Sequence, residues 1–173
     1  LQMSNYANKN FLTDKDLNTQ KDKAKLIAGT IGAGVGSTAT SVMIDKDKII
    51  LIGGDQTGDE YLPSNHVNLI DISDTKNPQV KRLAKMNYSR SNSESLIFPN
   101  VNIFVNGGHS FRDRELSVYN PEVYDVNSNK WKILESATFR RNYHSTSLLL
   151  PNGTILVARG DVWNAEIFYP PYL

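Results

Sequence analysis

The chain has 173 residues, 39% of them hydrophobic, with 19 Lys plus Arg against 18 Asp plus Glu and a formal net charge of +1. That length predicts one domain-sized unit with apolar residues enough for a core, and the near-neutral balance gives no electrostatic reason to expect nucleic acid or an anionic membrane as partner. No cysteine is present, which excludes disulfides, thiolate nucleophiles and thiolate metal sites within this chain and leaves the compartment open.

The first 25 residues, LQMSNYANKNFLTDKDLNTQKDKAK, are polar and follow neither a helical nor a strand period. Residues 1–25 therefore read as a loop or arm, with the patterned part of the chain over 26–173. No basic-then-apolar signal opens the chain, although residue 1 can equally follow a cleaved leader or lie inside a longer precursor. The apolar runs, such as SLLL and KIILIGG, fall far short of the roughly 20 residues that cross a bilayer, so no membrane span is expected. The Gly-rich stretch AGTIGAGVGSTATS offers Gly32-x-Gly34, which would need a helix directly after it to act as a dinucleotide loop. The residues after it are β-branched, so the stretch reads instead as the entry to a strand.

From Ser37 onward the chain repeats itself. SVMIDKDKIILIGG ends at Gly54, SLIFPNVNIFVNGG at Gly108 and SLLLPNGTILVARG at Gly160, so the units are spaced 54 and 52 residues apart. Each unit is an apolar strand, a polar turn, a second apolar strand and a Gly-rich stop. A loop and a third strand come next, namely HVNLIDIS, PEVYDVNSNKW and NAEIFYPP, and Trp131 leads into a fourth strand in the second unit. This spacing, with its double glycine, Tyr and Trp, is that of a kelch blade, and the expected fold is all-β: about three blades of four-stranded antiparallel sheet, near 37–88, 89–140 and 141–173. Three blades are fewer than the usual ring, so part of a propeller is expected. Its unpaired edges call for the missing blades or another copy of the chain.

Tyr143 and His144 stand just ahead of the third unit. Neighbours in a strand point to opposite faces, so the two can address one point only where the chain is irregular or the strand has yet to begin. Imidazole and phenolate together make a reasonable N,O set for Cu(II), yet two ligands are not a site. In non-catalytic blades an Arg-x-x-His run can equally serve packing, with His and Ser bonding the backbone of the adjacent blade.

The run Arg141-Asn142-Tyr143-His144-Ser145, then LLLPNGTILVARG, then AEIFYPPYL, resembles the copper radical oxidases, the galactose oxidase and glyoxal oxidase group. The likeness is dense over Arg141–Leu173 and thinner but in register over Ser37–Trp131. It implies that Tyr143 is an axial copper ligand and the base that accepts the substrate hydroxyl proton, and that His144 is an equatorial copper ligand. It further implies oxidation of a primary alcohol or aldehyde, including a carbohydrate, with reduction of O2 to H2O2, in an extracellular or cell-surface enzyme. The family's remaining copper ligands and its Cys-crosslinked tyrosyl radical belong to other blades and to a C-terminal sandwich domain. This chain has no cysteine and no histidine after His144, so copper is expected only if segments outside it supply the rest. Alone it would be incomplete and inactive, either a segment of an oxidase or a relative that has lost the chemistry.

Loops after the glycine pairs open on the same face, and the resemblance makes Gln56, Tyr61, His109, Phe111 and Arg112 candidate substrate contacts. Exposed loop residues without a ligand are the alternative for all five. His66 reads as a packed or surface histidine. Asn87-Tyr88-Ser89 and Asn152-Gly153-Thr154 match the glycosylation triplet, a pattern of low specificity. A non-catalytic kelch module that binds a glycan or a protein through its loop face is the competing functional class.

Overall fold

The computed structural model describes residues 2–6, 9–16, 23–28, 35–56, 62–111 and 116–173. Fourteen strands and no helix are found among them, in four antiparallel sheets. β1 (Gln2–Tyr6), β2 (Lys9–Asp16) and β3 (Lys23–Ala28) form one sheet in sequence order. The stretch that reads as a polar arm thus holds paired strands. Backbone N–H and C=O groups can make a ladder without any apolar alternation, and alternation was the only signal the sequence offered.

The three repeat units become three blade-like sheets. Blade one is β4 (Thr40–Asp45), β5 (Lys48–Ile52), β6 (Val67–Asp71) and β7 (Gln79–Arg82). Blade two is β8 (Ser91–Ile97), β9 (Ile103–His109), β10 (Glu122–Asp125) and β11 (Lys130–Ile133). Blade three is β12 (Ser145–Leu149), β13 (Ile155–Arg159) and β14 (Ala165–Phe168). Every blade is an up-and-down meander, and β4, β8 and β12 are its first strands. β8 packs against both β4 and β12, joined to β4 by a 2.6 Å hydrogen bond between the Thr40 and Ser95 hydroxyls. The first strands therefore line up side by side, as propeller-like blades require.

Period-2 alternation decides what lies between the blades. Ile50 and Ile52 of β5 face blade two and meet Ile103 and Val105 of β9, with Val42, Val67, Met86 and Tyr124 completing that layer. The intervening residues, Ile49 and Leu51, point the other way and pack with Val35 and Ile70. In blade two Phe104 turns toward blade three, meeting Ile155 and Val157 of β13 and Phe98. Each fully buried aliphatic or aromatic side chain contributes roughly 1.5–3 kcal/mol, so the core is a stack of inter-blade layers. Trp131 closes blade two from its outer strand. Its ring lies 5.0 Å from that of Tyr124 and its Nε1–H donates to Ala84 O at 2.9 Å, which ties the blade to the chain entering from blade one.

Glu94, half-buried on β8, has its carboxyl pushed up to about 7 from an ordinary 4.5 by burial. The folded state then prefers the neutral acid. Below pH 4.5 folded and unfolded chains are both protonated there and nothing is lost; between pH 4.5 and 7 the unfolded chain ionises first and stability falls; above pH 7 the penalty is constant. Glu94→Gln should therefore raise the melting temperature at pH 8 by a few degrees and leave it unchanged at pH 4, which a pair of thermal melts checks. An equal shift at both values would contradict this account.

Candidate metal site

Two buried arginines hold the blade entrances. Arg90, just before β8, donates from Nη1 to Gly107 O at 2.7 Å and from Nη2 to Glu122 Oε1 at 3.1 Å. Both side chains of this ion pair are 0% exposed. Glu122 in turn accepts from the Asn87 and Tyr88 backbone N–H groups and from Asn87 Nδ2. Burial pulls Arg90 below the usual guanidinium range, against the attraction of Glu122. Blade three repeats the device. Arg141 donates to Arg159 O at 3.0 Å, to Asn164 O at 3.1 Å and to Glu166 Oε2 at 2.9 Å, while Thr138 N–H donates to Glu166 Oε1. Burial alone would raise the Glu166 carboxyl; Thr138 and Arg141 outweigh it and hold it below the ordinary range. The two arginines are 51 residues apart, and Asn120-x-Glu122 and Asn164-x-Glu166 are 44 apart. That doubled pattern was the available signal for the pairs, and reading the repeats only by their apolar strands passes over it.

Arg141 places the Tyr-His pair. Its neighbour Asn142 is fully buried and donates from Nδ2 to Ser117 Oγ at 2.9 Å and to Asp161 Oδ2 at 3.1 Å. Ser145 N–H then donates back to Asn142 O at 2.9 Å, closing a tight turn with Tyr143 and His144 at its two central positions. His144 has φ +64° and Tyr143 does not share that sign, the pattern of a type II turn. A positive φ is uncommon outside glycine, and histidine is among the side chains that tolerate it best. The turn replaces strand alternation, and the two rings come to lie side by side with centroids 3.8 Å apart and planes at 50°. Tyr143 is 47% exposed and His144 is exposed as well.

Blade two shows what this turn adds. Ser93 pairs with Gly107 and Ser145 with Arg159, so the serines correspond, and each comes directly after a residue with positive φ, Asn92 or His144. Arg90 to Ser93 is three residues, Arg141 to Ser145 four. Blade three thus carries one residue more at this point, and the aromatic pair has no counterpart in blade two.

The other sequence candidates fall around this end of the blades. Gln56 is exposed at the foot of a loop closed by its N–H bond to Leu62 O at 2.8 Å and by the Asp55–Pro63 bridge. His109 is the buried last residue of β9, 7% exposed and bridged to Ser117, and Phe111 stands half exposed beyond it. Tyr61 and Arg112 lie outside the described residues. The structure brings Tyr143 and His144 together. Trp163, unremarked in the sequence, is 90% exposed in the short loop after blade three's Arg159-Gly160, with the Arg159 guanidinium 4.9 Å above its ring.

The donor set fits part of a copper site. A phenol oxygen and an imidazole nitrogen leave the same turn on the same side, which is the mixed N,O chemistry Cu(II) accepts. Among the described residues no group of three or more His, Cys, Asp or Glu converges elsewhere, so within them the turn supplies two donors and no complete coordination shell.

No protein-family model matches the chain. Two galactose oxidase sequences from Gibberella zeae are 28% identical to it over 149 residues, covering 77% of the chain and 22% of the relative. A fungal alcohol oxidase of the AA5 family, solved in complex with copper, superposes on 96% of the chain with a TM-score of 0.79 at 24% identity, the match spanning 37% of that protein. The chain thus spans about a fifth of the length of the curated relatives it matches. With its repeats, its blades and these likenesses in agreement, the chain is similar to galactose oxidase over a stretch of propeller-like blades.

Proposed function

We propose that the chain is the ligand-bearing kelch-propeller segment of an extracellular copper radical oxidase, acting on a carbohydrate or a small primary alcohol or aldehyde. The side-by-side arrangement of Tyr143 and His144 carries this reading, because strand geometry alone would have separated them. Tyr143 and His144 would hold copper together with ligands from segments outside these residues, and further blades and a sandwich domain would be their partners. Bound copper, with a tyrosyl radical, would supply the two-electron oxidation of the substrate, and O2 would take up the two electrons and two protons to give H2O2. The chain's own part is narrower. The Tyr143 oxygen, as the phenolate, would take the substrate hydroxyl proton and become the neutral phenol; the imidazole of His144 would anchor the pair; and Asn142, locked to Ser117 and Asp161, keeps the turn from swinging away. Gln56, Tyr61, His109, Phe111 and Arg112 are the proposed substrate contacts.

The test is peroxide release by the full-length, copper-loaded and oxidised protein with simple primary alcohols and aldehydes. Tyr143→Phe keeps the ring and removes the oxygen. It should lower turnover by about 10²–10⁴-fold, the usual worth of a positioned general base, with copper still bound. Unchanged turnover in that variant would remove Tyr143 from the role. Absence of any activity with copper bound would favour a non-catalytic module binding a glycan or protein through its loops.

A further inference from the structure

Between blades one and two the inter-blade layer is closed by Ile52 and Met86, 0% and 2% exposed. Their counterparts between blades two and three are Asn106 and Ala137. Ile52 and Asn106 each directly precede a glycine pair. Met86 and Ala137 each stand four residues before a buried arginine, and their N–H groups make the same bond, to Asn65 O at 3.0 Å and to Tyr119 O at 2.9 Å. A long apolar side chain is thus replaced by a methyl group, and an isoleucine by an amide. The result is a cavity of about 190 Å³ walled by Phe104, Val157 and Phe168, with Asn106, Ala137 and Glu166 also lining it.

We propose that this inter-blade cavity is a binding site for a small ring compound bearing a hydrogen-bond acceptor such as a carbonyl. An apolar cavity of about 150 Å³ takes up benzene, so this one has room for a single ring with a short substituent. Asn106 is 2% exposed and its Nδ2 has no hydrogen-bond partner, a state that an acceptor on the ligand relieves. Glu166 does not turn the site toward cations, because its carboxylate is already engaged by Arg141 and by Thr138 N–H. Ser136 and Thr138, both exposed, stand at the opening. The proposal is independent of any oxidase chemistry at Tyr143 and His144.

Acetophenone is a suitable probe, since it carries a ring and a carbonyl and is neither a primary alcohol nor an aldehyde. Titrated into the full-length protein and monitored by calorimetry and ligand-observed NMR, it should bind saturably, with toluene weaker by up to about tenfold for want of the acceptor. Ala137→Met rebuilds the plug of the preceding blade and should abolish binding with an unchanged or higher melting temperature. Asn106→Ile, which copies Ile52, should bind both probes equally, and decides the matter if the methionine variant does not fold. Absence of saturable binding, equal affinity for both probes in the unaltered protein, binding that survives Ala137→Met, or a soaked crystal showing ordered water alone in the cavity would each overturn the assignment.

Discussion

Glu122→Ala is expected to destabilise the protein by about 3–5 kcal/mol, the cost of leaving one partner of a buried ion pair uncompensated. Arg90 has no route to solvent, since both side chains of the pair are fully buried, and the same truncation strips the Asn87 and Tyr88 N–H groups of their acceptor. The corresponding change in blade three, Glu166→Ala, should cost clearly less, because that carboxylate is 21% exposed and water can replace it. Blade one manages without the pair. Asn68 pairs with Leu51 as Glu122 pairs with Val105, so a neutral amide stands at the same place. Denaturant titration of the two variants checks the order, and a loss below about 1 kcal/mol for Glu122→Ala, the ordinary size for an exposed pair, would mean that Arg90 finds another partner.

Gly107→Ala should cost a comparable amount, about 2–5 kcal/mol from left-handed backbone strain and overpacking combined. Gly107 has φ +68°, and a Cβ built there would lie 2.3 Å from the carbonyl oxygen of Arg141, a backbone atom of the next blade. That oxygen is held in turn by Gly108 N–H at 2.6 Å, so it cannot simply retreat. Arg159 occupies the same position in blade three with φ +61°, and there its guanidinium reaches over Trp163. Left-handed backbone is thus compatible with a side chain at this position, and what sets Gly107 apart is the Arg141 carbonyl beside it. Arg159→Gly should accordingly change stability by less than about 1 kcal/mol. Thermal melts of both variants separate the two contributions: if Gly107→Ala is as mild as Arg159→Gly, the close approach of the blades is not what the glycine serves.

The repeats, the apolar strand pairs and the galactose-oxidase-like run through Arg141–Leu173 were all legible in the one-dimensional pattern, because each depends on residues within a few positions of one another. Alternation along β5 and β9 announces which side chains face a neighbouring blade, and the glycine pairs announce where the chain must turn. That Tyr143 and His144 come together was not written in that pattern, since strand periodicity points them apart; it was decided by one positive φ at His144, made possible by a turn whose flank, Asn142, is pinned by Ser117 and Asp161 from other loops. The buried arginine–carboxylate pairs and the cavity beside Ala137 belong to the same class. The charged partners lie 25 and 32 residues apart in the chain and meet only when the third strand of a blade folds back beside its entrance, and only the stacking of one blade on the next determines whether the space between two sheets is filled or left open.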